Sequence, residues 1–438
     1  MKVRKLLLLP LAAALLLSGC ARLDRIKQVE LPPLPEAEAS AEPTAAVSPT
    51  PQPDTDVVPT QAPHESSEPE EPIILRFETV AEERFDPAEG KQLILTFSYV
   101  TPKVRIPGRE AAAAAINEAV AILDESYYTG EDYGEGYNSG FNGMLEAAED
   151  NFAYIVGTGE TGLPMEFAST RNARCARADE EALSLIFDTY EYTGGAHGML
   201  VRRAYVYDTQ SGERLSLDDL SDDPVLLRET LVEQMLRALE TDEELALHVS
   251  DAFVDPADYP SAFAALLREG SWYLDAEGLA VFSDLYELGP YAAGMAEFLI
   301  PYESLTDCLS PRWLPSVRHS GGSVSVKPLR EWQSADLTVV DRLELDAEAE
   351  EICLMCSGPI YDLRLTRVGY GEPFYEIGSL WACSYMENCA LVLRSFVPEI
   401  IPDLQISYTG PDGHPVRLLL TQSGRDGSYL LIDEESFG

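Results

Sequence analysis

The sequence predicts an α+β domain, an antiparallel sheet with packed helices, followed by a small all-β sandwich-like domain. Three observations predict it. Between residues 73 and 310, period-two strand runs and period-3.6 helix runs occur in separate blocks, the pattern of α+β architecture. Beyond residue 323 helical periodicity disappears and short β runs follow one another between turn signals. Pro311, Pro315 and Gly321-Gly322 separate the two regions and mark a domain boundary.

The elements can be justified in chain order. Lys2, Arg4 and Lys5 form a basic head before the apolar run Leu6 to Leu17, which has the length of a signal-peptide core and is too short to span a bilayer. The run ends in Leu17-Ser18-Gly19-Cys20, which resembles a bacterial lipobox. That resemblance implies a signal peptide of residues 1–19, cleavage before Cys20, and a lipid on the Cys20 thiol. The expected location is extracytoplasmic, lipid-anchored to the bacterial cell membrane; an ordinary secretion signal is the alternative. Residues 20–72 then read as a lipid-anchored disordered tether. Within it, residues 31–72 hold 11 prolines, nine acids and no Lys or Arg. Such a composition buries too little apolar area to offset its ordering entropy. In polyproline-like form these residues would reach roughly 130 Å.

From there the texture becomes structured. Leu93, Leu95, Phe97 and Tyr99 alternate with polar residues as a half-buried strand. After Pro107-Gly108, an Ala-rich helix carries Ile116, Val120 and Leu123 at helical spacing. Residues 181–193 return to period two, and residues 199–207 read as a further strand. The run Asp208 to Glu213 (DTQSGE) turns the chain. Asp223-Pro224 starts an amphipathic helix with Val232, Leu236 and Leu239 on one face. A strand pair follows around Trp272 to Phe282. The expected domain is therefore 73–310, with subdomains of about 73–155 and 156–310. The β domain, 323–438, is built from runs such as SVSV, DLTVVDRLEL, DLRLTRV, ALVLRSFV, LQISYT, VRLLLTQ and YLLID, with turns at Pro411 to Gly413 and Gly424 to Gly427. No internal repeat is visible.

Charge excludes some functions. The formal net charge is −44, from 75 acids against 31 bases. Nucleic-acid phosphates and anionic lipid both call for a cationic face, so neither is an expected partner. A basic protein would be attracted, although the first reading of acids spread along the chain is solubility. The five histidines are scattered without metal-ligand spacing, and no HExxH or G-x-S-x-G motif occurs. Neither a metal nor another cofactor is expected. With 75 acids, any chosen glycosidase-like carboxylate pair is uninformative.

Three features remain as candidates. The first is the turn Tyr192-Thr193-Gly194-Gly195-Ala196-His197-Gly198 after a strand. Its glycines allow positive φ and close backbone approach, so the first reading of His197 is a turn residue bonded to carbonyls; the alternative is a catalytic base. The second is the acidic, Gly-rich stretch carrying Tyr127, Tyr128, Tyr133 and Tyr137, either a ligand-contact loop or tyrosines packed back on the domain. The third is the cysteines. Cys353 and Cys356 would point to opposite faces of a strand, and the spacing of Cys383 and Cys389 departs from a usual zinc motif. A Cys383–Cys389 bridge is the preferred pairing, with free buried thiols the alternative.

The order of motifs YTGGAHG, RRAYVYDTQSGERLSLDDL, a helix, then LYELGPYAAGMAEFLIPYESL resembles the RsiV-type extracytoplasmic domain. That domain belongs to a lysozyme-sensing anti-sigma factor and is also found before the PdaC deacetylase domain. The resemblance covers roughly residues 75–310 and leaves 323–438 outside it. This chain shows a lipid-anchor signature in place of a cytoplasmic sigma-binding segment and transmembrane helix, and it lacks the histidines of the deacetylase segment. What the resemblance implies is a binding module. The expected function is thus a non-catalytic extracytoplasmic lipoprotein that binds a protein or cell-wall ligand such as lysozyme or peptidoglycan, as sensor component or decoy. The alternatives are a cell-wall hydrolase or deacetylase-associated protein using His197, and an envelope structural protein.

Overall fold

The computed structural model describes residues 72–88, 90–131, 140–158, 165–316, 318–331, 338–346, 349–371, 374–395 and 401–436. The expected signal peptide, Cys20 and all but the last residue of the expected tether lie outside the described residues, as do Tyr133 and Tyr137. No helix among the described residues is long and apolar enough to cross a membrane.

A ten-stranded sheet is the frame of the molecule. Its first half is built from β1 (Ile74–Phe85), β2 (Leu93–Arg105), β3 (Phe167–Ala178), β4 (Ala182–Tyr192) and β5 (Met199–Asp208). β1–β2, β3–β4 and β4–β5 pair antiparallel, while β2–β3 is parallel. A parallel neighbour needs a crossover, and helices α1 (Glu110–Thr129) and α2 (Gly140–Thr158) supply it. The expected face of α1 is the observed one: Ile116 and Val120 are fully buried against the sheet, with Leu123 beside them. Asn117 clamps the helix to β2, its side-chain amide donating to the Val104 carbonyl and its oxygen accepting from the Val104 N–H, both at 2.8 Å. The DTQSGE turn forms as expected. Asp208 accepts from the Gln210 N–H at 2.7 Å, and Gly212 takes φ +80° against the α1 backbone, where a Cβ would come 2.5 Å from the Ala112 carbonyl oxygen.

Helix α3 (Pro224–Thr241) starts as the sequence predicts, with the Asp223 carboxylate accepting from the Leu226 N–H at 3.1 Å. Its buried stripe is Leu227, Leu231 and Met235; the expected Val232, Leu236 and Leu239 flank that stripe and are only partly covered. Helix α4 (Tyr259–Leu266) and a three-stranded sheet of β6 (Trp272–Leu274), β7 (Gly278–Phe282) and β8 (Glu297–Pro301) complete this core.

The C-terminal strands continue the same frame. β12 (Ile360–Gly369) and β13 (Tyr375–Met386) pair with each other, and β13 pairs antiparallel with β1 through Ile74↔Cys383, Leu75↔Ala382 and Arg76↔Trp381. β15 (Leu404–Thr409), β16 (Pro415–Gln422) and β17 (Tyr429–Asp433) extend the sheet outward from β12. A second sheet, in the order β10 (Thr338–Glu344), β14 (Cys389–Ser395), β11 (Glu350–Ser357) and β9 (Ser323–Pro328), shares an apolar core with that half. The expected β-rich C-terminal part is therefore present. The expected boundary at 311–322, however, does not divide the sheet, because residues 70–438 form one compact unit and β13 fills the edge that β1 would otherwise leave open. Pro311–Trp313 is a short 3-10 turn, anchored by the buried Trp313, instead of a linker: Arg177, itself buried, donates to the Trp313 carbonyl at 2.6 Å and the Tyr302 hydroxyl at 2.9 Å.

A candidate binding surface at the β4–β5 turn

The hairpin of β4 and β5 runs in unbroken register from Ala182↔Asp208 to Glu191↔Met199, so the segment between them is held at a defined place. Gly194 and Gly195 each have φ +99°, a conformation that L side chains rarely adopt. Gly198 lies flat on Tyr190, where a Cβ would come 2.4 Å from the ring. Tyr192 folds over the turn and donates its hydroxyl to the Gly195 carbonyl at 3.1 Å. These contacts fix the turn and project His197 into solvent.

His197 is met there by residues from far along the chain. Its ring stacks on Tyr291 at 3.7 Å between centroids and 18° between planes. Its Nδ1 lies 3.0 Å from the Gly198 carbonyl oxygen, and its Nε2 lies 3.2 Å from the Tyr286 hydroxyl. A carbonyl only accepts, so Nδ1 carries the proton, and in the neutral ring Nε2 accepts from Tyr286. A carbonyl and a phenol thus occupy both ring nitrogens. The turn reading of His197 therefore fits the geometry, with the addition that its outer face is part of an aromatic cluster.

The partner segment is a closed loop. Residues 283–296 leave β7 and return to β8, and their ends are tied by Ser283 N–H to the Ala296 carbonyl at 2.9 Å and Ala296 N–H to Ser283 Oγ at 3.0 Å. Arg268 grips the loop from below, donating to both Glu287 oxygens at 2.7 and 2.8 Å and to Asp284 at 2.9 Å. Arg203 adds a bond to Asp284 at 2.8 Å. Planar guanidinium forks suit such multi-carboxylate gripping. Held this way, Tyr286 sits at φ +65° and stays 44% exposed. A non-glycine residue in the left-handed region persists only where its surroundings over-determine it, and such strain concentrates at functional positions. Met199 and Met165 are also exposed beside the turn. The result is a patch of Tyr192, His197, Tyr286 and Tyr291, with His197 and Tyr286 exposed, the other two half-buried, and methionines at its rim.

The other candidates are placed differently. Tyr127 is 2% exposed, stacks on Phe97 at 5.0 Å and bonds Ser169 Oγ at 2.7 Å. Tyr128 stacks on Phe141 at 5.3 Å and donates to Glu82 at 3.1 Å. Both belong to the core that α1 and α2 make over β2, which corrects the ligand-contact reading for these two tyrosines. They end a helix whose period points them inward, and the sequence shows that period only as far as Leu123. No bond joins Cys383 to Cys389, which corrects the expected bridge. They belong to different sheets, Cys383 facing Ile74 and Leu363 in the large sheet and Cys389 paired to Thr338 in the small one. Among the described residues, no group of three or more His, Cys, Asp or Glu is arranged to hold a metal ion.

The profile of a family described as "Protein of unknown function (DUF3298)" matches residues 219–303. The chain carries a DUF3298 domain. That segment contains α3, α4, β6, β7, the loop 283–296 and β8, so it supplies Tyr286 and Tyr291 but not the β4–β5 turn. Among solved structures, a DUF3298 family member from Bacteroides fragilis is similar at 18% identity and a TM-score of 0.40, covering 54% of this chain and 94% of its own. A DUF3298 family protein from Pseudomonas aeruginosa is similar at 19% identity and a TM-score of 0.36, covering 55% of this chain and 97% of its own. No curated protein matches the chain. The matched family has no catalytic assignment.

Sequence reading found the turn but missed Tyr286 and Tyr291 as its partners. They are 89 residues or more away, and no local pattern encodes the meeting. The signal that could have pointed to them is the tyrosines of LYELGPYAAG, which flank a Gly-Pro turn in an otherwise strand-rich region.

Proposed function

We propose that this protein is a non-catalytic extracytoplasmic lipoprotein, anchored through Cys20, that binds a basic protein ligand at the β4–β5 face. The observation that carries the reading is the His197–Tyr286–Tyr291 cluster, exposed at His197 and Tyr286, braced from beneath and strained at Tyr286. Rigid tyrosines offer large contact area at low entropic cost, which is the chemistry of a binding surface. A net charge of −44 favours a cationic ligand by long-range attraction. The RsiV-type resemblance supplies the specific candidate, lysozyme, and the lipobox-like Leu17 to Cys20 supplies the location.

The test is calorimetric titration of the whole chain with a c-type lysozyme at low and at physiological salt. Saturable one-to-one binding that survives physiological salt supports the reading. Heat only at low salt means the acidic surface attracts any cation, and the proposal fails. Turnover of peptidoglycan by the purified protein would overturn its non-catalytic part.

A further inference from the structure

Three cysteines gather in the core between the two C-terminal sheets. β11 and β14 pair antiparallel with Ile352↔Leu393, Leu354↔Leu391 and Met355↔Ala390. One further step in that register sets Cys356 directly opposite Cys389. Their side chains point the same way. Ile352, Leu354, Cys356, Cys389, Leu391 and Leu393 all enter the inter-sheet core, whereas Cys353, Ala390 and Val392 face the other side. Directly opposed residues on antiparallel strands have Cα atoms about 4.5 or 5.5 Å apart, and a disulfide spans about 4.4–6.8 Å. The turn after Cys356 and the turn before Cys389 are also joined, with the Gly358 N–H donating to Asn388 Oδ1 at 3.3 Å. Cys383 lies across the sandwich in the same core, on β13.

We propose that Cys356 and Cys389 are a disulfide-forming pair, closed by exchange with an external disulfide, and that Cys383 remains a thiol. In the exchange, the Cys356 or Cys389 thiolate attacks the external disulfide and releases one thiol. The second cysteine then attacks the mixed disulfide and releases the other. Two protein thiols and one external disulfide thus become one protein disulfide and two external thiols. Because Cys356 is 1% and Cys389 6% exposed, the reaction belongs to folding, before the sandwich closes. Burial also pushes the Cys356 thiol up to about 12 and raises that of Cys389, so the folded, reduced pair is a poor nucleophile. The preferred pairing from sequence, Cys383 with Cys389, loses to this one because register aligns Cys356 with Cys389 along one sheet, whereas Cys383 must reach between sheets.

The test folds the full chain from denaturant with a mixture of reduced and oxidised glutathione, blocks free thiols with an alkylating reagent in denaturant, and maps the peptides by mass spectrometry. The expected result is a Cys356–Cys389 cross-linked peptide lacking two hydrogens, with Cys383 alkylated. A cross-link that contains Cys383, or full alkylation of both Cys356 and Cys389, overturns the proposal. The Cys383→Ala chain gives an independent reading: it should form the same cross-link to the same extent, and its loss there also overturns the assignment. Treating the natively folded, reduced protein with oxidised glutathione should give oxidation at least tenfold slower than during refolding. Equal rates would refute the claim that closure precedes packing.

Discussion

Replacing Trp381 by alanine should destabilise the whole of residues 72–436, including segments that the tryptophan does not touch. Trp381 is 0% exposed on β13, the strand that joins the C-terminal half of the large sheet to β1. Its indole N–H donates to Asp341 at 2.9 Å, and the same carboxylate accepts from Arg76 Nε at 2.7 Å, so one buried acid ties β13, β10 and β1 together. Truncating a buried tryptophan to alanine costs about 3–5 kcal/mol through lost burial and the cavity left behind. With a urea m-value of about 3 kcal/mol/M, that is a fall in midpoint of about 1 to 1.7 M. The chain has four tryptophans, and Trp272 and Trp313 both lie in the α3/β6–β8 core. In a Trp332→Phe background, fluorescence of the Trp381→Ala chain reports that distant core alone. One continuous sheet predicts that its midpoint falls together with far-UV circular dichroism. An unshifted Trp272/Trp313 midpoint beside a shifted C-terminal transition would refute the reasoning and restore two independent domains.

Other expected outcomes follow from particular residues. Tyr127→Phe removes the hydroxyl with its bonds to Ser169 Oγ and the Ser98 carbonyl and should cost about 1 kcal/mol, whereas Tyr127→Ala should cost about 3–5 kcal/mol; neither should alter ligand binding measured by calorimetry. Burial raises the Asp362 carboxyl above the usual carboxylate range, against the opposing effects of Arg364 and a 2.8 Å bond from Thr409. A folded state that holds this proton longer than the unfolded chain loses stability as pH rises from below the ordinary carboxylate value through the raised one. Asp362→Asn, which suits φ +56° and keeps an oxygen for Thr409, should therefore gain over wild type as pH goes from 3 to 8 in paired thermal melts, and a constant difference would contradict this. Gly195→Ala places its Cβ in open space but forces alanine to φ +99°, so a loss of about 1 kcal/mol in urea unfolding should arise from backbone conformation alone.

Local features were legible and pairing over distance was not. The α1 helix face, the Asp223 cap, the DTQSGE turn and the strand runs of the C-terminal region all follow from period and turn chemistry within a few residues. β13 carries Gly378, Ser379 and Ser384 among its apolar residues and shows no clean alternation, yet it is the strand that merges the two regions. Helix α2 begins at Gly140-Phe141-Asn142-Gly143, a start that reads as loop, and its burial against β2 supplies what propensity does not. The same limit governs the proposed binding face. The glycines of the β4–β5 turn announce a turn, but the stacking of Tyr291 on His197 depends on a loop whose position Arg268 and Arg203 set from other elements.

The central claim, that the His197–Tyr286–Tyr291 face is where ligand binds, is tested most directly by lysozyme calorimetry on the Tyr286→Ala/Tyr291→Ala chain at physiological salt, beside wild type. Tyr370→Ala is the control, since Tyr370 is an exposed tyrosine on another part of the surface. The account predicts a loss of at least about 2 kcal/mol, roughly 30-fold in Kd, for the double variant, with the control unchanged. Equal affinity of wild type and the double variant, with both folded, would contradict it.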